Sequence, residues 1–151
     1  MAPEGTTVHA SAVLAGARAV LIRGPAGAGK SGLALALIRA GQAGPLGFAR
    51  LVGDDRITLE AVHRRLLARP APALAGLIEV RGLGIRKVDH ESVAVVGLVV
   101  DLAAPSANRL PETEAQETII LGIILPLLSV PPGCDPMPAV LAHLLTTGAE
   151  V

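Results

Sequence analysis

Residues 24–31 read GPAGAGKS, a glycine followed by four residues and then Gly-Lys-Ser. That spacing is the one a nucleotide-phosphate loop requires. Gly24, Gly27 and Gly29, with Pro25, Ala26 and Ala28 between them, let the backbone wrap so that successive N–H groups face phosphate oxygens. A helix opening at the end of the loop adds the positive end of its dipole at the same point. Lys30 can reach the β- and γ-phosphates, and the Ser31 hydroxyl can ligate Mg²⁺. ATP or a close relative, with Mg²⁺, is the ligand these residues imply.

Phosphoryl transfer also needs acids for the metal and for the attacking nucleophile. Asp54-Asp55 closes a short apolar segment, ARLVG, and two adjacent carboxylates could divide the labour between accepting a proton and holding the metal. The alternative is an ordinary turn, since aspartate favours turns, but the position at the strand's end favours function. Glu79, in LIEVRGLG, is either a site carboxylate or a solvent-facing strand residue paired with Arg81. His9 lies in a strand expected to pack near the loop, where a satisfied edge histidine is the plainer reading. Arg109, in a polar loop, could touch a phosphate. His63, His90 and His143 do not combine with Cys134 into zinc-ligand spacing.

The elements that must position these groups follow from the pattern of apolar residues, which predicts a mixed α/β chain with more strand than helix. Thr7–Leu14 reads as a first strand, Gly16-Ala17 as a turn and Arg18–Ile22 as a buried second strand. A helix is expected from near Lys30 to just before Gly41, followed by a glycine-rich loop to Gly47. Ala49–Gly53 is a short strand. Arg56–Glu60 and Arg65–Ala68 suit a hairpin, although HRRLLAR also suits a helical turn. Ser92–Leu102, nearly all Val, Leu and Gly, suits a central buried strand, Thr118–Val130 one or two more, and Pro138–Leu145 a closing helix.

Composition narrows the partners. The chain has 151 residues, a length suited to one domain, with 51% hydrophobic residues but only one aromatic, Phe48. Base stacking has no platform, and 13 basic residues against 13 acidic ones leave no field for a nucleic-acid backbone or an anionic membrane. A single cysteine suits a reducing compartment. The start, MAPEGTTVHAS, lacks the pattern of a secretory signal, and Ile119–Val130 is too short and too interrupted to span a bilayer. A cytoplasmic, soluble protein is expected.

Taken in order, these pieces resemble the catalytic domain of HPr kinase/phosphorylase, which acts on a serine of the phosphocarrier protein HPr. VHAS with His9 resembles the family's histidine-containing strand, GPAGAGKS its P-loop and LVGDDR its LVADD-type element; NRLPE around Arg109 resembles its arginine-bearing loop. IEVRGLGI is similar to the family signature, and is the most specific piece because it is not a general P-loop feature.

The resemblance implies an α/β fold of the P-loop kinases related to phosphoenolpyruvate carboxykinase. It assigns residues 1–151 to one catalytic domain, a short form without the N-terminal domain of longer members. It implies that Asp54 is the general base toward the serine hydroxyl and that Lys30 and Ser31 hold phosphates and Mg²⁺. Asp55 and Glu79 would support the metal, His9 would position the phosphate or Asp54, and Arg109 would touch the transferred group. An HPr-like protein would be the partner and a hexamer the assembly. Two departures stand out. The Gly41–Gly47 loop lengthens the gap to the Asp pair, and VPPGCD (Val130–Asp135) replaces a basic PVRPGRN-like element. The second bears on the reverse, dephosphorylating reaction more than on the kinase reaction. The rival readings are a P-loop kinase or NTPase acting on a small molecule, and a nucleotide-sensing module without chemistry.

Overall fold

The computed structural model describes residues 5–104 and 116–146. Eleven strands and two helices are present among them: β1 (Thr6–His9), β2 (Ser11–Ala15), β3 (Arg18–Arg23), α1 (Lys30–Ala43), β4 (Ala49–Gly53), β5 (Arg56–Val62), β6 (Arg65–Pro70), β7 (Leu77–Val80), β8 (Gly84–Lys87), β9 (Ala94–Asp101), β10 (Glu117–Ile120), β11 (Ile123–Ser129) and α2 (Met137–Leu145). The mixed α/β class, the helix after the phosphate loop and the C-terminal helix are as the sequence predicts.

The main sheet runs β1-β5-β6-β9-β3-β2-β4, and β11 joins β9 with β10 beyond it. β3 and β9 are parallel neighbours, with Arg23 opposite Asp101. The other edge of β9 is shared. β6 takes its first residues, where Leu67 faces Val95, and β11 takes its last, where Leu127 faces Val99. β7 and β8 form a separate hairpin.

Alternation along β3 sends side chains into two cores. Val20 and Ile22 join Leu98 and Val100 beneath Leu33 and Leu37 of α1, with Ile78 of β7 and Val140 of α2 completing that cluster. Ala19 and Leu21 point the other way and pack with Leu59, Leu66, Val99 and Leu125. Among the described residues, this second core is drawn from the strands and contains no residue of α1 or α2. Each fully buried Leu or Ile in these clusters contributes on the order of 2 kcal/mol.

Three predicted boundaries differ. The first strand is two: the ladder breaks at Ala10, whose N–H goes to the Asp55 carbonyl at 3.2 Å, leaving β1 on β5 and β2 on β3 and β4. The segment HRRLLAR is no helical turn; His63 and Arg64, at φ +49° and +64°, form the two-residue turn between β5 and β6. α1 does not stop before Gly41 but continues to Ala43. Gly41 is there for space, because a Cβ on it would lie 2.2 Å from the Ala49 nitrogen, where β4 starts. A glycine that resembles a helix terminator is therefore the point of closest approach between helix and sheet.

Candidate active site

The phosphate loop spans the gap between β3 and α1. Gly24 has φ +155°, and a Cβ there would crowd the Leu102 carbonyl oxygen at 3.1 Å, so the loop leaves the sheet at a place only glycine fits. Gly29 is the N-cap of α1 in a left-handed conformation at φ +99°, with no side-chain cap and no acid in the first turn. The opening amides of α1 thus lack the protein acceptor that a cap usually supplies, which is the arrangement that receives an anion. Pro25, Ala26, Gly27 and Gly29 are exposed, so the concave side is accessible. Lys30 folds back over the loop, its Nζ donating to the carbonyls of Gly24 at 2.8 Å and Pro25 at 3.1 Å.

Beneath the loop, β3 and β9 are joined at their ends. Arg23 Nε and Nη2 donate to the two carboxylate oxygens of Asp101 at 2.7 and 3.0 Å, and the Leu102 N–H donates to the Arg23 carbonyl at 2.8 Å. This two-pronged pair sits one residue before Gly24 and fixes the platform from which the loop departs. The sequence reading does not single it out. An Arg and an Asp each ending an apolar strand are the signal, but their pairing depends on strand order.

Asp54 is 4% exposed, at the end of β4. A buried carboxylate must be hydrogen-bonded, and three donors converge on it. Ser11 Oγ donates to Oδ1 at 2.5 Å, Ser31 Oγ lies 2.9 Å from both oxygens, and the Glu79 N–H donates to Oδ2 at 3.0 Å. Ser11, wholly buried on β2, is the partner of Asp54 that motif reasoning misses. Its signal is a hydroxyl in an apolar strand, which has to find a partner.

Asp55 is different. At φ +70° its backbone turns sharply, the Arg56 N–H closing onto the Asp54 carbonyl at 2.9 Å, and its side chain remains 66% exposed. His9 Nδ1 stands 4.0 Å from Asp55 Oδ1 and is exposed as well. The Asp-Asp pair is therefore a turn with one carboxylate buried and one open. A cavity of about 250 Å³ lies beside them, lined by Asp54, Asp55, Leu74, Leu77, Glu79 and Ile85. Glu79 makes no ion pair with Arg81 among the described residues; its side chain is exposed at this cavity while its N–H holds Asp54.

The structure thus brings together the loop, Lys30, Ser31, Asp54, Asp55, His9 and Glu79. Arg109 lies outside the described residues. Among the described residues no three His, Cys, Asp or Glu side chains form a metal cage. The Ser31 hydroxyl against Asp54 and the uncapped start of α1 fit a magnesium–nucleotide ligand. No described helix is long and apolar enough to cross a membrane.

The chain resembles known proteins over most of its length. Residues 1–133 match the model of the HPr serine kinase C-terminal domain. HPr kinase/phosphorylase of Clostridium tetani is 35% identical over 102 residues, covering 68% of this chain and 30% of that protein. The Limosilactobacillus reuteri protein of the same name is 36% identical over 124 residues, covering 74% and 36%. The chain spans about a third of the length of these curated relatives. The solved structure of the Hpr(Ser) kinase/phosphatase from Coxiella burnetii superposes with a TM-score of 0.72 at 29% identity, covering 93% of each chain. Matched over residues 1–133 and alike in fold, the chain belongs to the HPr serine kinase C-terminal domain family.

Proposed function

We propose that this domain transfers the γ-phosphoryl group of Mg·ATP to a serine hydroxyl of an HPr-like phosphocarrier protein. The observation that carries this is the pairing of a phosphate loop with two adjacent carboxylates of opposite exposure. The loop amides and Lys30 hold the phosphates, with Lys30 exchanging its carbonyl partners for phosphate oxygens. Ser31, supported by Asp54 and by the Glu79 side chain at the cavity, would hold Mg²⁺. When bound, the ion neutralises charge on the β- and γ-phosphates.

The sequence reading gives Asp54 the part of base and Asp55 that of metal support, and the geometry favours exchanging them. A protein hydroxyl has to reach the carboxylate that takes its proton. Asp54 is buried under three donors, whereas Asp55 is open with His9 beside it to orient it. In this reading the serine oxygen bonds to the γ-phosphorus as the bond to the β,γ-bridging oxygen breaks, and the hydroxyl proton passes to Asp55.

Self-association belongs to the same reading. Ile119 and Ile124 face each other across β10 and β11 and are 68% and 63% exposed, an apolar pair of the kind that marks a contact surface. A cytoplasmic setting, where ATP and a carrier protein meet, suits the single exposed Cys134. The test is to incubate the protein with labelled Mg·ATP and the host's HPr-like proteins. Transfer of label to serine is expected. Nucleotide binding without transfer to any of them would favour a sensing module, and ATP consumption with a metabolite would favour a small-molecule kinase.

A further inference from the structure

At the opposite end of β3 and β9 from the phosphate loop, the sheet forks. β9 gives up β6 as its neighbour after Val95 and does not take up β11 until Val99. On its other edge the ladder with β3 slips, Ala19 facing Val96 and Val20 facing Leu98, so that Gly97 is the extra residue of a bulge. A cavity of about 320 Å³ occupies this fork, with Leu66, Val96 and Leu125 in its wall. Among the described residues, three arginines, Arg18, Arg64 and Arg65, line it and no acidic residue does.

Each arginine is brought there by a distinct local feature. Arg18 lies across Gly97, where an added Cβ would sit 2.7 Å from Arg18 Cβ and 3.1 Å from its Cγ. Only glycine lets that stem lie flat over the strand. Arg64 occupies a left-handed turn position that commonly takes glycine, so the bulky cation is presented at a conformational cost. Arg65 begins β6 next to it. None of the three makes an ion pair among the described residues. That includes Glu117, which faces Pro126 at the cavity's rim. In a chain of zero formal net charge, three such cations converging on one cleft form a local positive site.

We infer that this fork binds a small anion carrying two or more carboxylate or phosphate groups, at a site separate from the phosphate loop. Guanidinium forks match the planar oxygen pairs of such groups two-pronged. The cavity has the volume of a small-ligand pocket with an apolar wall, not the length of a groove for an extended acidic segment.

Amide resonances in the intact protein test this without reference to catalysis. Citrate, a tricarboxylate, should shift the amides of Arg18, Val96 and Gly97 saturably, leaving Gly27 and Gly29 in place. Pyrophosphate should shift both groups of amides with separate affinities. In R64A/R65A the fork shifts should weaken by about tenfold or more for both probes, while the pyrophosphate response at Gly27 and Gly29 persists. R18K, which keeps the charge but loses the fork, should fall between. Failure of both probes to shift Arg18 and Gly97, or fork shifts undiminished in R64A/R65A, would overturn the inference. Tighter binding of an oligoglutamate peptide than of citrate would also overturn it, in favour of a protein segment as occupant.

Discussion

The Ser31 hydroxyl oxygen sits 2.9 Å from each carboxylate oxygen of Asp54, so the last residue of the loop donates to the carboxylate that directly follows β4. In the proposed function Ser31 would hold Mg²⁺, and Asp54, hydrogen-bonded to that hydroxyl, would stand beside the ion. Asp54→Asn should therefore weaken magnesium–nucleotide binding by roughly tenfold or more, since a charged acceptor is lost from beside the metal. Titration calorimetry with and without Mg²⁺ would measure this. An unchanged affinity would remove Asp54 from the metal's surroundings.

Asp55→Asn should behave oppositely. Transfer to serine should fall by about 10² to 10⁴, the usual contribution of a positioned base, while nucleotide affinity stays close to that of the unaltered protein. A quenched-flow measurement of a single turnover separates the two. Full transfer by Asp55→Asn together with its loss in Asp54→Asn would restore Asp54 as the base.

Ser11→Ala should destabilise the fold by about 1–3 kcal/mol, because a buried charged acceptor loses one of its three donors. Chemical denaturation reads the change directly. Ser11→Cys, which restores a weak donor of similar size, should recover part of it. A loss under about 0.5 kcal/mol would mean that Asp54 is satisfied without Ser11.

Gly41→Ala should lower stability even though alanine is the better helix former by about 1 kcal/mol. The new methyl would meet Ala49 backbone at 2.2 Å, and α1 would have to move off β4. Overpacking of this kind costs about 1–3 kcal/mol, so a net fall in melting temperature is expected. A rise would show that the helix already ends before Gly41 in solution.

Asp101→Asn should loosen the platform under the loop. The Arg23–Asp101 pair is about two-thirds covered, and replacing its charged acceptor should weaken nucleotide binding several-fold. Global stability should change by no more than about 1 kcal/mol, since partly exposed pairs contribute little to folding. An equal loss in both measurements would make the pair structural only.

How much of this was legible in the residues depended on the range of the interaction. GPAGAGKS specifies its own backbone path through Gly24 and Gly29, so the loop and the start of α1 are readable locally. The hairpin of β5 and β6 is also nearly local, though its His63-Arg64 turn lacks the usual asparagine or glycine, which is why HRRLLAR also suits a helix. Gly41 misleads because its reason is a neighbour eight residues away. The break at Ala10 exists only because the Asp55 carbonyl arrives there from a distant turn. The division between Asp54 and Asp55 is least readable of all: adjacent and chemically identical, they are told apart by Ser11, Ser31 and Glu79, from three other elements. The fork beside Gly97 likewise needs the strand order before its arginines can be seen to converge.

Asp54, directly after β4, gathers hydrogen bonds from β2, from the first turn of α1 and from the β7–β8 hairpin. The hairpin has no ladder to the main sheet, so the Glu79 N–H to Asp54 is the one hydrogen bond tying its backbone to the buried carboxylate. Ile78, wholly buried in the core beneath α1, anchors the hairpin's first strand, so this amide couples an already packed hairpin to Asp54. Hydrogen exchange at the Glu79 amide consequently reports whether the hairpin's contact with Asp54 is made, and is readable with no substrate present.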